Sequence, residues 1–156
     1  PIALKKHLGK AEVSGVDISK SALDLARENA QSNQVEVEYS QVDIRNKIEW
    51  KQVGKFDIIV SNPPYVLGKE KSEMRKNVLD YEPELALFVE DEDPLIFYRY
   101  ILDFAQSHLE TDGEIYFELN ENFGDDLKEL CKQKGFGNCD LKKDLSDKIR
   151  MLRCSK

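Results

Sequence analysis

Helical and strand-like patterns alternate along this chain. That alternation predicts an α/β sandwich on a mostly parallel sheet, closed by an antiparallel strand pair. Three observations carry the expectation. Apolar runs at residues 13–16, 35–39 and 56–60 each end in polar residues. Residues 19–33 and 93–113 carry apolar side chains at 3–4 spacing, as amphipathic helices do. The run "KFDIIVSN" is apolar without alternation, as expected of a strand covered by helices on both faces.

Each element has its own reason. "PIALKKHLGK" reads as the end of a helix, with apolar Ile2, Ala3 and Leu4, then lysines, then Gly9 placed to stop it. "AEVSGVDIS" supplies a short strand. Ser19 is placed to cap a helix whose inner stripe is Ala22, Leu25, Ala26 and Asn29. "VEVEYSQVD" alternates Val35, Val37 and Tyr39, a strand with one solvated face. Residues 66–92 are charged and lack a sustained period, so they read as a long loop with one short helix near residues 74–78. A loop of that length is usually functional or mobile. Asp93 is the expected cap of the next helix, with Pro94 at its first position and Leu95, Tyr98, Ile101, Leu102 and Ala105 buried. Gly113 is expected to turn this helix into the strand "EIYFEL". A helix closed by Gly135 follows, then "NCDLKKD" and "KIRMLRCS", an antiparallel pair around residues 145–147.

Composition narrows the function classes. The 156 residues, 40% hydrophobic, suit one globular domain with a core. Acids outnumber bases 30 to 23, and the net charge of −7 argues against broad binding to nucleic-acid backbone. A local basic patch or a basic protein partner stays open. Cys131, Cys139 and Cys154 are odd in number and form no C-x-x-C pair. Neither a disulfide framework nor a metal site is expected, and a reducing cytoplasm fits. His7 and His108 lie far apart in helix-like stretches and read as ordinary surface or core residues. No apolar run reaches the ~18–20 residues of a membrane span.

In sheets of this kind, ligands bind beyond the carboxyl ends of the strands. Asp17, Asp43 and the run from Asn62 to Tyr65 each end a consecutive strand. A carboxylate at Asp17 can accept bonds from vicinal hydroxyls, or it can help to cap the helix at Ser19. Asp43 can accept from an exocyclic amine, or it is a solvated loop acid.

"NPPY", residues 62–65, says more. A residue before proline is pushed into an extended conformation, and proline fixes its own φ. The Asn62 side-chain carbonyl and the Pro63 backbone carbonyl then form two acceptors in rigid geometry, suited to a planar –NH2 group. Tyr65 adds a flat face for stacking, and the alternative is a plain turn closing a strand. An amide nitrogen is a poor nucleophile because its lone pair is delocalised. Accepting both its hydrogens enriches the nitrogen and aims it, with no strong base required. A methyl on a sulfonium is the matching electrophile, and its ribose and adenine amine are what Asp17 and Asp43 would hold.

With these residues the chain resembles class I S-adenosylmethionine-dependent methyltransferases with an N-P-P-Y motif, whose sandwich is Rossmann-like. It looks most like the HemK/PrmC type, the protein-glutamine N5-methyltransferases of peptide-chain release factors. "GVDIS", "NPPYV", "YEPELAL" and "DLSDKIRMLRCS" all stand in family order, across essentially the whole chain. N-P-P-Y alone is shared with enzymes that methylate amines of DNA or RNA, so that substrate class is the alternative. A fragment that binds no cofactor is another. By resemblance, Asp17, Ile18, Asp43 and Asn62 would bind S-adenosyl-L-methionine, leaving S-adenosyl-L-homocysteine as product. Asn62, Pro63, Pro64 and Tyr65 would grip the glutamine of a Gly-Gly-Gln loop, with Glu82 and Pro83 shaping the wall. The partner implied is a release factor, with neither membrane nor direct nucleic-acid contact, in the cytoplasm.

The family's Gly-rich cofactor loop is expected directly before Pro1, after a central strand. With neither in this sequence, the expectation is a single partial catalytic domain, residues 1–156, also lacking the family's amino-terminal helical domain. The strands ending at Asp17 and Asp43 would then lose their pairing to the strand ending at Asn62. Such a piece alone is expected to bind cofactor weakly or not at all.

Overall fold

The structure is a computed structural model and describes residues 1–74, 79 and 81–156. Most of the short helix expected at residues 74–78 therefore lies outside the described residues. The chain divides into two compact units, Pro1–Val53 and Gly54–Lys156.

In the first unit, helix α1 (Ile2–His7) ends at Leu8, beside the expected stop at Gly9. Lys5, Lys6 and His7 fill its last turn, where positive charge suits the helix dipole. Strand β1 (Ser14–Asp17) pairs in parallel with β2 (Glu38–Gln41), from Ser14 opposite Glu38 to Asp17 opposite Gln41. Parallel neighbours need a crossover, which α2 (Lys20–Ser32) provides. Ser19 caps it as expected, its hydroxyl accepting the Ala22 N–H at 3.3 Å. The buried face of α2 is not the expected stripe. Leu23 and Ala30, two turns apart, are buried, whereas Leu25 is 58% exposed. Apolar residues lie on several sides of this helix, so packing rather than pattern selects the inner one. Val42 and Trp50 complete this small core, and the indole N–H donates to the Ile44 carbonyl at 3.1 Å.

The second unit is built on a four-stranded sheet in the order β3-β6-β8-β7. Strand β3 (Phe56–Ser61) runs parallel to β6 (Leu109–Glu118). Strand β8 (Ile149–Ser155) runs antiparallel to both β6 and β7 (Gly137–Lys143), which bears out the expected closing pair. Its turn is fixed by Asp144, whose Oδ1 accepts the Ser146 and Lys148 N–H groups at 2.8 and 3.1 Å. Residues 66–92 are not one long loop. Strands β4 (Val66–Leu67) and β5 (Phe88–Val89) pair in parallel and tie its neck, and a short helix α3 (Glu84–Leu87) lies between them.

Helix α4 (Ile96–His108) buries Tyr98, Ile101, Leu102 and Ala105 as expected, and Phe104 with them. Asp93 does not cap it. The helix begins after Leu95, and the Asp93 carboxylate pairs instead with the Arg99 guanidinium, a charge-assisted bond stronger than one to a backbone N–H. Nor does Gly113 start the following strand. Leu109 is fully buried and pairs with Phe56, so β6 opens directly at the helix end. The register slips between Phe56 and Ile58, and Gly113 sits where the chains crowd: a Cβ there would lie 3.0 Å from the Asp57 carbonyl oxygen.

Helix α5 (Gly124–Gln133) buries Leu127, Leu130 and Cys131. The alternate positions Ile115, Phe117, Leu152 and Cys154 make the buried face of the sheet, each at most 2% exposed. The opposite face differs from expectation. Ile58 and Val60 on β3 are 52% and 59% exposed, so among the described residues this strand is covered on one face only.

Candidate functional site

The first unit carries the two acids. Asp17 closes β1, and its Oδ1 accepts the Ser19 N–H at 2.7 Å. Its Oδ2 has no hydrogen-bond partner among the described residues. The sequence left capping and ligand binding open for Asp17; one oxygen serves the cap. The Val42 N–H donates to the Asp17 carbonyl at 3.0 Å, which sets Asp43 next to the end of β1. Asp43 itself is engaged. Arg45 donates to it through Nε at 2.9 Å, Nη2 at 2.8 Å and its backbone N–H at 2.9 Å. The Arg45 side chain thereby holds the Asp43 carboxyl below the usual carboxylate range. Ile18 is partly exposed, and its carbonyl accepts from Gln41 Nε2 at 2.9 Å.

The second unit carries the N-P-P-Y turn at the carboxyl end of β3. Its peptide bonds are all trans. Asn62 is exposed, Pro63 is buried and Pro64 is half-buried. Among the described residues, neither the Asn62 side chain nor the Pro63 carbonyl has a hydrogen-bond partner. Two adjacent acceptors are thus held by proline-restricted backbone and left unpaired.

Tyr65 is anchored from behind. Its hydroxyl donates to Glu118 Oε1 at 2.8 Å. Burial, then the bond to Glu118, pushes the phenol up to about 12. Glu118 ends β6, and its backbone carbonyl accepts the Tyr98 hydroxyl at 2.9 Å. Two residues on, Asn120 is buried; its Nδ2 donates to the Tyr65 carbonyl at 3.5 Å and to Glu70 Oε2 at 3.1 Å. Glu70 in turn accepts the Leu67 N–H at 3.0 Å. The turn, the neck of the 66–92 excursion and the end of β6 therefore form one polar network. Sequence reasoning stopped at three strand ends and missed Glu118 and Asn120. The same carboxyl-end rule, carried on to "EIYFELN", picks both.

Glu82 and Pro83 are exposed, and Pro83 opens α3 by accepting the Ala86 N–H at 2.9 Å. Among the described residues, no hydrogen bond joins either to residues 62–65. The Glu84 carboxylate pairs with Lys71, which links the two sides of the excursion. His7 and His108 each sit in the last turn of a helix, and the His108 ring stacks on Phe104 at 4.2 Å.

Residues 1–81 match the family described as the methyltransferase small domain. The chain is 45% identical over 152 residues to a protein of Flavobacterium psychrophilum named release factor glutamine methyltransferase, covering 97% of this chain and 53% of that protein. A protein of the same name from Bacteroides thetaiotaomicron is 42% identical over 155 residues, covering 99% of this chain and 55% of its own length. The chain thus spans about half the length of these relatives. In fold it is similar to a methyltransferase from Pyrococcus furiosus, with a TM-score of 0.70 at 19% identity over 99% of this chain and 67% of that one.

Proposed function

The chain belongs to the methyltransferase small domain family, and on that footing we propose that it is the part of a release-factor glutamine methyltransferase that holds the substrate amide. The observation that carries the reading is the pair of unpaired acceptors at Asn62 and Pro63, beside a tyrosine ring held by Glu118. The names of relatives at 42–45% identity point to the same substrate.

In this reading the Asn62 side-chain oxygen and the Pro63 carbonyl accept the two hydrogens of the glutamine amide. That enriches the nitrogen and orients its lone pair. Tyr65 packs its ring against the planar amide. Its phenol keeps its proton through neutral pH, so it contributes a surface and not a base. The nitrogen sheds a proton to solvent once it has become more acidic on methylation.

The cofactor implied is S-adenosyl-L-methionine, which supplies an activated methyl on sulfur. The donor set fits the chemistry of its nucleoside. Asp17 has an oxygen free for a ribose hydroxyl, and Asp43, the expected acceptor for the adenine amine, is held by Arg45. A cytoplasmic setting is part of the proposal, and the three free thiols suit a reducing compartment.

The test is methyl transfer by this chain within a protein of its relatives' length. Labelled S-adenosylmethionine is offered with a release factor or with nucleic acid. Label on the Gly-Gly-Gln glutamine is the expected result, and label on nucleic acid alone would sink the proposal. Asn62→Ala is expected to lower transfer roughly 100- to 1000-fold, with cofactor affinity nearly unchanged. Equal loss of both would mean that Asn62 holds the cofactor instead.

A further inference from the structure

Three thiols that the proposed reaction does not use meet in the core of the second unit. Cys131 lies on α5, Cys139 on β7 and Cys154 on β8. All three are buried, and their Sγ atoms lie within 4.8 Å of one another. Nothing in their spacing announced this. The tight turn between β7 and β8 brings Cys139 level with Cys154, and α5 adds Cys131 from above the sheet.

Cys139 and Cys154 form the close pair, with sulfurs 2.6 Å apart across 15 residues of sequence. Their strands pair Gly137 with Ser155 and Asp140 with Arg153, and the register slips between these pairs, beside Asn138 with its positive φ of 44°.

Charge separates the chemistries open to this cluster. Burial pushes the Cys139 thiol up to about 12, and Cys154 is raised by its own bond with Cys131 and then by burial. Three thiolates around a divalent cation would leave a net negative charge in the core, which low dielectric opposes. A disulfide is neutral, and so is the third thiol beside it.

We propose that Cys139 and Cys154 are a modification site, joined reversibly by a peroxide into a cross-strand disulfide, with Cys131 left as a thiol. The peroxide transfers one oxygen to the first sulfur, giving a sulfenic acid and one water. The second thiol displaces that hydroxyl as another water while the S–S bond forms. Two thiols are oxidised and one peroxide is reduced, and a dithiol reductant reverses the bridge. Cys139 reacts first, because it is 7% exposed whereas Cys131 and Cys154 are fully buried. The reaction is slow, since the reacting thiolate is scarce when a thiol is this weakly acidic. The bridge staples the edge strand β7 to β8.

The full chain, reduced and then treated with hydrogen peroxide, is alkylated in denaturant, digested and mapped by mass spectrometry. The expected product is a peptide joining Cys139 to Cys154 with Cys131 alkylated. The thermal midpoint should rise by about 6–12 °C and fall back with dithiothreitol. Cys131→Ala should keep the bridge, and Cys139→Ala should lose it. Three alkylated thiols after peroxide, a bridge that includes Cys131, or sulfinic acid at Cys139 would overturn the proposal. So would stoichiometric cadmium binding by the reduced chain with thiolate absorption, which would make the cluster a metal site. Where a core variant fails to fold, the thiol map of the unaltered chain decides by itself.

Discussion

Tyr65 keeps its proton because burial and a carboxylate acceptor act in the same direction. The phenol is raised from 10.0 to about 12. A raised acid of this kind stabilises the fold in its neutral form. That contribution is complete below about pH 10 and is lost as pH climbs through 12. Burial raises Tyr98 as well, so an alkaline titration of tyrosinate absorbance should show more than one late phenol, of which the one near pH 12 disappears in Tyr65→Phe. The same substitution removes a bond to a carboxylate, worth about 1.5–3 kcal/mol. Urea unfolding should show a loss of that order at neutral pH, and no loss would mean that the Glu118 contact is ornamental. The Asn62 acceptor contrasts with this hydroxyl. It has no partner among the described residues, so Asn62→Ala should leave stability within about 0.5 kcal/mol while removing transfer. That split separates a group kept free for a ligand from one that holds the structure.

At the level of elements, local rules succeed where neighbours in sequence supply the partners. Ser19 caps α2 through an atom three residues away, and Ser19→Ala should cost about 1 kcal/mol in thermal or urea unfolding. The 66–92 segment follows a different logic. Its order comes from a two-residue parallel pair at the neck and from Asn120, 50 residues beyond Glu70, which bonds both Tyr65 and Glu70. Asn120→Ala would remove a donor from the half-buried Tyr65 carbonyl and Glu70 carboxylate, at about 1–3 kcal/mol. Hydrogen exchange should quicken at the Leu67 amide, which Glu70 accepts. Unchanged protection there would show that the neck holds without Asn120. These long-range ties escape any reading by period, because the segment has none of its own.

On the scale of the whole molecule, the second unit's sheet has one dry face and one wet one. Ile115 is fully buried, whereas its near neighbour Ile58 is 52% exposed. Ile115→Ala should cost about 2–5 kcal/mol, and Ile58→Thr no more than about 0.5 kcal/mol. A cost at Ile58 as large as that at Ile115 would show that this face is covered too. The sequence by itself determined the alternation of helices and strands, the polar ends of β1, β2 and β3, the proline-fixed acceptors and the closing antiparallel pair. Each of these rests on side chains acting on backbone within a few residues. The tertiary structure alone decided the inner face of α2, the direct passage from α4 into β6, the anchoring of Tyr65 by Glu118 and the meeting of three cysteines. Those depend on which surfaces bury each other, and burial joins residues that no local spacing connects.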